Sequence, residues 1–570
     1  MKVLREALRA RPFALLFVLA LTLATPETTT AAISKKKIAA PPPSTNILMI
    51  RKDGEALNPA TSQLLDPPGE YTEYDRYTDA IFDDLEKFCA PKPKPCKLLF
   101  YFHGGLNTRE SSVSRATELT DTIKGQDIYP IFVNWNSSLP STWWDHVAHV
   151  RKGLWQGNKY LLAVPYFIAV DEVRSIAETP TAWVAEARHT FPRHQEAGIP
   201  VLQTYKEMLQ EHDTDPKGTL MLNNLLDGEG PLLVDERKPG EIWGARAQLL
   251  YSWWSKLLAP PLLIQAAGTG AWDMMQRRTA MLFRTEAEFR GISPEAVEKS
   301  RMIAEGRTDK VSTPPGQGEV QQESLDLAQK YDTGAALARF IDRFQKRFCD
   351  TEPVPSTPPA EAEEDTPKAH QEGAIACEKR LAITLVGHSM GTIIIDRLLR
   401  YAPNLQVKNI VFMAAANTVE DYRDTVDAYL DRHHGNGSGE DGEGVTNMYH
   451  LVLHPLAEVG EQGVLDLAPR GSLLIWIDNY FTDPPTPLGR RAGRFSNIMS
   501  ELRFAGEKTR SQVHLKVFRV GRSLRCWNPQ KHGDFGAFPF WDERFWDPNE
   551  PTDAETSQVR RRDGAGCPVP

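Results

Sequence analysis

The sequence predicts an α/β fold: a mostly parallel sheet flanked by helices and interrupted by a large helical cap insertion. Three observations carry that expectation. Residues 381–386 have only Thr384 as a polar member, and they run directly into a segment with Ile393, Ile394, Leu398 and Leu399 at helical spacing. Residues 98–102 and 129–135 are two more apolar runs of strand length, separated by a stretch suited to one helix. Residues 136–380 are far more than a single crossover helix needs, so an insertion must lie between two halves of one sheet.

Taken in order, the chain opens on Lys2, Arg5, Arg9 and Arg11 ahead of an apolar run at 13–24 and a small-residue stretch. That is the layout of a signal peptide over residues 1–32, with an uncleaved N-terminal membrane anchor as the alternative. The protein is therefore expected to be exported, periplasmic or secreted. Residues 33–140 form the first part of the core. They comprise a basic and proline-rich linker at 35–43, a strand at 46–51, an amphipathic helix at 71–88, the strand at 98–102, a helix at 111–124 and the strand at 129–135. Asn134, Trp135 and Asn136 end that last strand, where they serve as pocket wall or as core.

Residues 141–333 form the helical cap or lid. Its segments 141–191 and 242–289 read as helical and are rich in tryptophan, and the uncharged run 257–272 reads as an acyl-chain channel or as the cap's own core. Residues 334–548 form the second part of the core, with a helix at 334–348 and strands at 381–386, 407–416, 447–454 and 513–520; a polar tail occupies 549–570. Residues 309–323, 351–373 and 433–446, rich in Pro, Gly, Ser and acidic side chains, are expected to be disordered loops.

Composition bounds the partners. With 41% hydrophobic and 25% charged residues the chain is of ordinary globular make-up, and its net charge of −9 argues against a nucleic-acid-binding surface. Six cysteines at no metal-ligand spacing suit an oxidising compartment. The nearest-neighbour pairing is Cys89 with Cys96, Cys349 with Cys377 and Cys526 with Cys567. Neither a metal nor a cofactor is implied.

The chemistry-bearing stretch is Gly387-His388-Ser389-Met390-Gly391. A serine hydroxyl is a weak nucleophile and must be lifted clear of its strand, within reach of a base. A strand-to-helix turn does this, small residues two positions either side relieve the crowding, and the helix after it aims free N–H groups at the place where an oxyanion would form. Upstream, His103-Gly104-Gly105 ends a buried strand, where glycines turn the backbone and expose N–H groups. The oxyanion donors are therefore assigned to the N–H of Met390 and of Gly105, with Leu106 as the alternative to Gly105; His103 is read as a structural histidine orienting that loop. Six histidines come after Ser389, and His532, beside Gly533, is the one in a loop after the final strand.

GHSMG after a buried strand, HGG upstream and a late HGD together resemble the α/β-hydrolase superfamily, specifically its serine esterases and lipases, over residues 97–135 and 382–546. The resemblance implies an α/β-hydrolase sheet and an acyl-enzyme mechanism with Ser389 as nucleophile and His532 as general base. It also implies a carboxylate after the strand that ends near His454, in the order Ser, acid, His. Glu458 is the choice, with Glu461, Asp466 and Asp478 as alternatives. The implied partner is an ester or lipid substrate, with peripheral membrane contact left open. An acyltransferase or amidase would use the same machinery, and a non-catalytic envelope scaffold is the reading from another class.

Overall fold

A computed structural model of the chain describes residues 46–65, 72–190, 265–292, 295–297, 334–349, 381–433, 445–461, 471–502, 505–518, 524–548 and 559–562, with a few isolated positions. The expected signal peptide and the loops at 309–323 and 351–373 lie outside the described residues, as does most of 433–446.

The sheet has eight strands: β1 Ile47–Ile50, β2 Ala56–Leu57, β3 Cys96–Phe102, β4 Ile128–Trp135, β7 Leu381–His388, β8 Asn409–Met413, β9 Asn447–Leu453 and β10 Val513–Phe518. A separate two-stranded hairpin, β5 Val150–Arg151 with β6 Leu154–Trp155, lies in the insertion. The order across the sheet is β10-β9-β8-β7-β3-β4-β1-β2. Every pairing is parallel except β1 with β2. The apolar runs are central strands because a parallel sheet is covered on both faces, and the last five residues of β3 and the last seven of β4 are all buried.

Six helices frame the sheet and the site: α1 Thr72–Cys89, α2 Arg109–Lys124, α3 Val164–Thr190, α4 Ala266–Met281, α5 Ala336–Phe348 and α6 Gly391–Tyr401. Neighbouring strand residues point to opposite faces, and β3 shows both. Phe100 meets Phe340 and Phe344 of α5, which also pack on Phe82 of α1. Tyr101, on the other face, stacks on Phe540 at 4.2 Å. The aromatic segment after β10 thus covers the sheet opposite α5, and this is how a residue near the end of the chain comes to lie over the central strands.

Disulfides fix two of these connections. Cys89–Cys96 joins the end of α1 to the start of β3, and Cys526–Cys567 ties the segment after β10 to the C-terminal stretch. Cys349 is also disulfide-bonded, and its expected partner Cys377 lies outside the described residues. Part of the expected polar tail is packed against the body of the protein. Val559 is buried, the Arg561 N–H donates to the Cys526 carbonyl at 2.7 Å, and the Arg562 N–H donates to the Ala537 carbonyl at 2.9 Å. Arg561 also pairs with Asp534 at 3.2 Å.

Among the described residues of the insertion, α3 and α4 are helical as expected and pack on each other. No described helix is long and apolar enough to cross a membrane. Of the uncharged run 257–272, residues from Gln265 onward are described, and Trp272 is buried against the main core. Trp135 is core as well, lying parallel to the His103 ring at 5.8 Å.

Candidate active site

β7 is a central strand and ends at His388; α6 begins at Gly391, and Ser389 occupies the turn between them. Its φ is +51°, a left-handed conformation that is uncommon for a residue with a side chain. Three donors hold the strained peptide. The Ser389 carbonyl accepts from the Thr392 hydroxyl at 2.7 Å, the Thr392 N–H at 3.1 Å and the Ala416 N–H at 3.2 Å. Gly391 lets α6 close onto the neighbouring strand: a Cβ there would lie 2.1 Å from the Phe102 carbonyl oxygen.

The structure brings Ser389 and His532 together. His532 Nε2 lies 2.9 Å from Ser389 Oγ, and both residues are buried. The main chain of His532 is held at both ends. Its N–H donates to the Glu461 carboxylate at 2.9 Å, and its carbonyl lies 2.9 Å from His388 Nε2. A carbonyl can only accept, so His388 carries its proton on Nε2. Burial holds His388 neutral, with its pKa lowered to about 4. For His532 burial, with the neighbouring His388 ring adding to it, lowers the pKa to about 3, so its imidazole is the neutral, proton-accepting form.

His103 is the structural histidine expected of it. Its Nδ1 faces the Gly104 carbonyl at 2.7 Å and its Nε2 accepts from the Trp135 N–H at 3.1 Å, which fixes one neutral tautomer. Burial lowers its pKa to about 4. The glycines it orients reach Ser389 and its neighbour: a Cβ on Gly104 would sit 3.1 Å from Ser389 Cβ, and one on Gly105 would sit 3.0 Å from Met390 Sδ. Between the two expected donors of this loop, geometry favours Gly105, because the Leu106 N–H is already donated to the Ser137 carbonyl at 3.0 Å. Asn107 Nδ2 donates to the Gly104 carbonyl at 2.8 Å and braces the same turn.

The carboxylates behave differently from expectation. Glu458 is not brought to the imidazole: it is buried, its carboxylate lies 3.6 Å from Arg494 Nε, and burial raises its pKa to about 8. The short helix Pro455–Gly460, which carries Glu458, turns its side chain toward an internal charge cluster. Asp478 belongs to that cluster, accepting from the Arg491 N–H at 2.9 Å and from Arg494 Nη1 at 3.0 Å. Asp466 lies outside the described residues. Of the three that are described, Glu461 touches His532, through the main-chain N–H. Burial raises its pKa to about 7, opposed by that same N–H. Among the described residues His532 Nδ1 is buried without a hydrogen-bond partner, and this is the atom an orienting carboxylate would meet.

Three residues that sequence reasoning did not single out therefore shape the site: His388, Thr392 and Asn107. His388 lies in the motif and Thr392 just after it, but only the tertiary contacts reveal their roles. Among the described residues no cluster of His, Cys, Asp and Glu could hold a metal ion. Compared with known proteins, the chain matches no family model, no curated protein and no solved structure.

Proposed function

We propose that this chain is an exported serine hydrolase that cleaves carboxylic esters, lipid esters included, through an acyl-enzyme. The observation that carries the reading is the 2.9 Å approach of a neutral, buried imidazole to a serine hydroxyl held at a strained strand-to-helix turn. Export is supported by the disulfides, which suit an oxidising compartment.

In this mechanism Ser389 Oγ attacks the ester carbonyl carbon while His532 Nε2 takes the hydroxyl proton. The N–H groups of Gly105 and Met390 stabilise the negative carbonyl oxygen. Collapse breaks the carbon–oxygen bond to the alcohol, which leaves with the proton from Nε2. Water, deprotonated by the same nitrogen, then attacks the acyl group and releases the acid and free Ser389. The imidazolium formed twice per cycle needs a carboxylate, and Glu461 is assigned that place in preference to Glu458 because of its contact with His532.

A fluorophosphonate probe tests the reading. The full-length protein is expected to be labelled stoichiometrically, and Ser389→Ala is expected to lose all labelling and all ester turnover while keeping its fold. A folded wild type that takes no label sinks the proposal. The carboxylate has its own test: Glu461→Gln is expected to lower kcat about 10²–10⁴-fold. Glu458→Gln, at a carboxylate paired with Arg494 instead, should leave kcat within about threefold and act on stability. The reverse pattern in the two variants would return the role to Glu458.

A further inference from the structure

Beside the oxyanion donors lies an apolar recess whose wall includes Gly105, Met390, Met275, Ile477, Trp272 and Phe481. Met390 is next in the chain after the nucleophile, so an acyl group held on Ser389 has this recess as its neighbour. The recess is tight, with room for little more than a water molecule, so it admits a chain of only a few carbons.

The aromatic walls are fixed from behind. The Arg491 guanidinium lies 5.6 Å from the centre of the buried Trp272 ring, in cation–π range. Arg491 is itself pinned: its guanidinium donates to the Ala416 carbonyl at 3.2 Å and lies 3.4 Å from Asp478. Asp478 sits in the helical turn Ile477–Phe481, so the ion pair that braces Trp272 also anchors the turn that supplies Ile477 and Phe481. The Phe481 ring packs on α4 at Gly268, where an added Cβ would come within 2.1 Å of Phe481 Cε1.

We propose that this recess is the acyl-binding subsite, that it takes short, unbranched apolar acyl groups, and that Trp272 and Phe481 set the length limit. This rests on the serine-hydrolase reading and narrows its substrate class from esters in general to short-chain esters. A rigid apolar wall that cannot admit one more methylene discriminates by about tenfold or more per methylene. Asp478 and Arg491 act as positioning residues for the wall and touch no reacting atom.

The experiment uses the full-length protein and nitrophenyl esters from acetate through butyrate, hexanoate and decanoate to laurate, with active sites counted by fluorophosphonate labelling of Ser389. Wild type is expected to show its highest kcat/KM on acetate or butyrate and to lose about 10²-fold or more from butyrate to hexanoate, two methylenes longer. Trp272→Ala and Phe481→Ala are expected to move the maximum toward longer chains, and Gly268→Ala, which drives the Phe481 ring inward, toward acetate. Should either alanine variant fail to fold, Phe481→Leu makes a smaller change in the same direction. A labelled wild type that prefers laurate, or a maximum that folded Trp272 and Phe481 variants leave in place, overturns the subsite alone. A wild type that takes no label overturns the parent reading, and the subsite with it.

Discussion

Replacing His532 by alanine is expected to lower kcat/KM for a nitrophenyl ester by about 10⁴–10⁶-fold, with little change in folding. Geometry sets that expectation. Nε2 stands 2.9 Å from Ser389 Oγ, and among the described residues no other imidazole is shown against that oxygen. The ring is buried, but its removal leaves the braces on the main-chain N–H and carbonyl in place. The wild-type pH profile is part of the same expectation. An ordinary histidine titrates near 6.5, and burial, with the His388 ring adding to it, takes His532 down to about 3. The base therefore remains neutral through the mildly acidic range, and the acid limb of kcat/KM should begin well below 6.5. Stability runs with the same sign. In the unfolded chain the imidazole takes up a proton as pH drops through 6.5, whereas the folded ring resists until about 3, so acidification across that window favours unfolding. An acid limb centred at 6.5, or a His532→Ala protein with near wild-type turnover, would contradict the assignment.

The second large effect concerns stability. Gly391→Ala is expected to destabilise the fold by about 3 kcal/mol or more, despite alanine being the better helix former by about 1 kcal/mol. Overpacking wins because the new methyl would sit 2.1 Å from the Phe102 carbonyl oxygen and 2.7 Å from the carbonyl carbon. Those are backbone atoms of a central strand, paired with β4 and β7 on either side, so they have no direction in which to yield. Chemical denaturation followed by far-UV circular dichroism reads the effect as a lower midpoint. A midpoint unchanged from wild type would mean that α6 can slide away from β3, and the close approach would no longer explain the motif glycine.

The strands that are buried on both faces could be read from their apolar runs, and the structure places each of them within a few residues. The largest boundary difference has a local cause. Residues 407–416 read as one strand, but β8 covers only Asn409–Met413, because Ala414 adopts a left-handed φ of +46° and the chain turns there. No feature of an alanine-rich run announces that turn; it is imposed by the site, where the Met413 and Ala416 backbone groups bond to Ser389. The serine and the histidine were legible for related reasons: a motif marks the first, and a position beyond the last strand marks the second. The carboxylate was not. Glu458, Glu461 and Asp478 come after β9 with nothing local to rank them, and their separation into a charge-cluster member, a His532 contact and a strut for an aromatic wall depends on side chains far away in sequence. His433 shows the same limit. Read as part of a loose loop, it is bound on both ring nitrogens, to Gln406 at 2.5 Å and to the Pro403 carbonyl at 2.9 Å.

The loop bearing His532 is girdled by residues translated after it: Arg561 and Arg562 bond across it, and Cys567 closes the ring to Cys526. These ties lie outside the contacts that His532 itself makes with Glu461, His388 and Ser389. Reduction of the Cys526–Cys567 bond is therefore expected to loosen the loop around His532 while leaving those three contacts available to re-form.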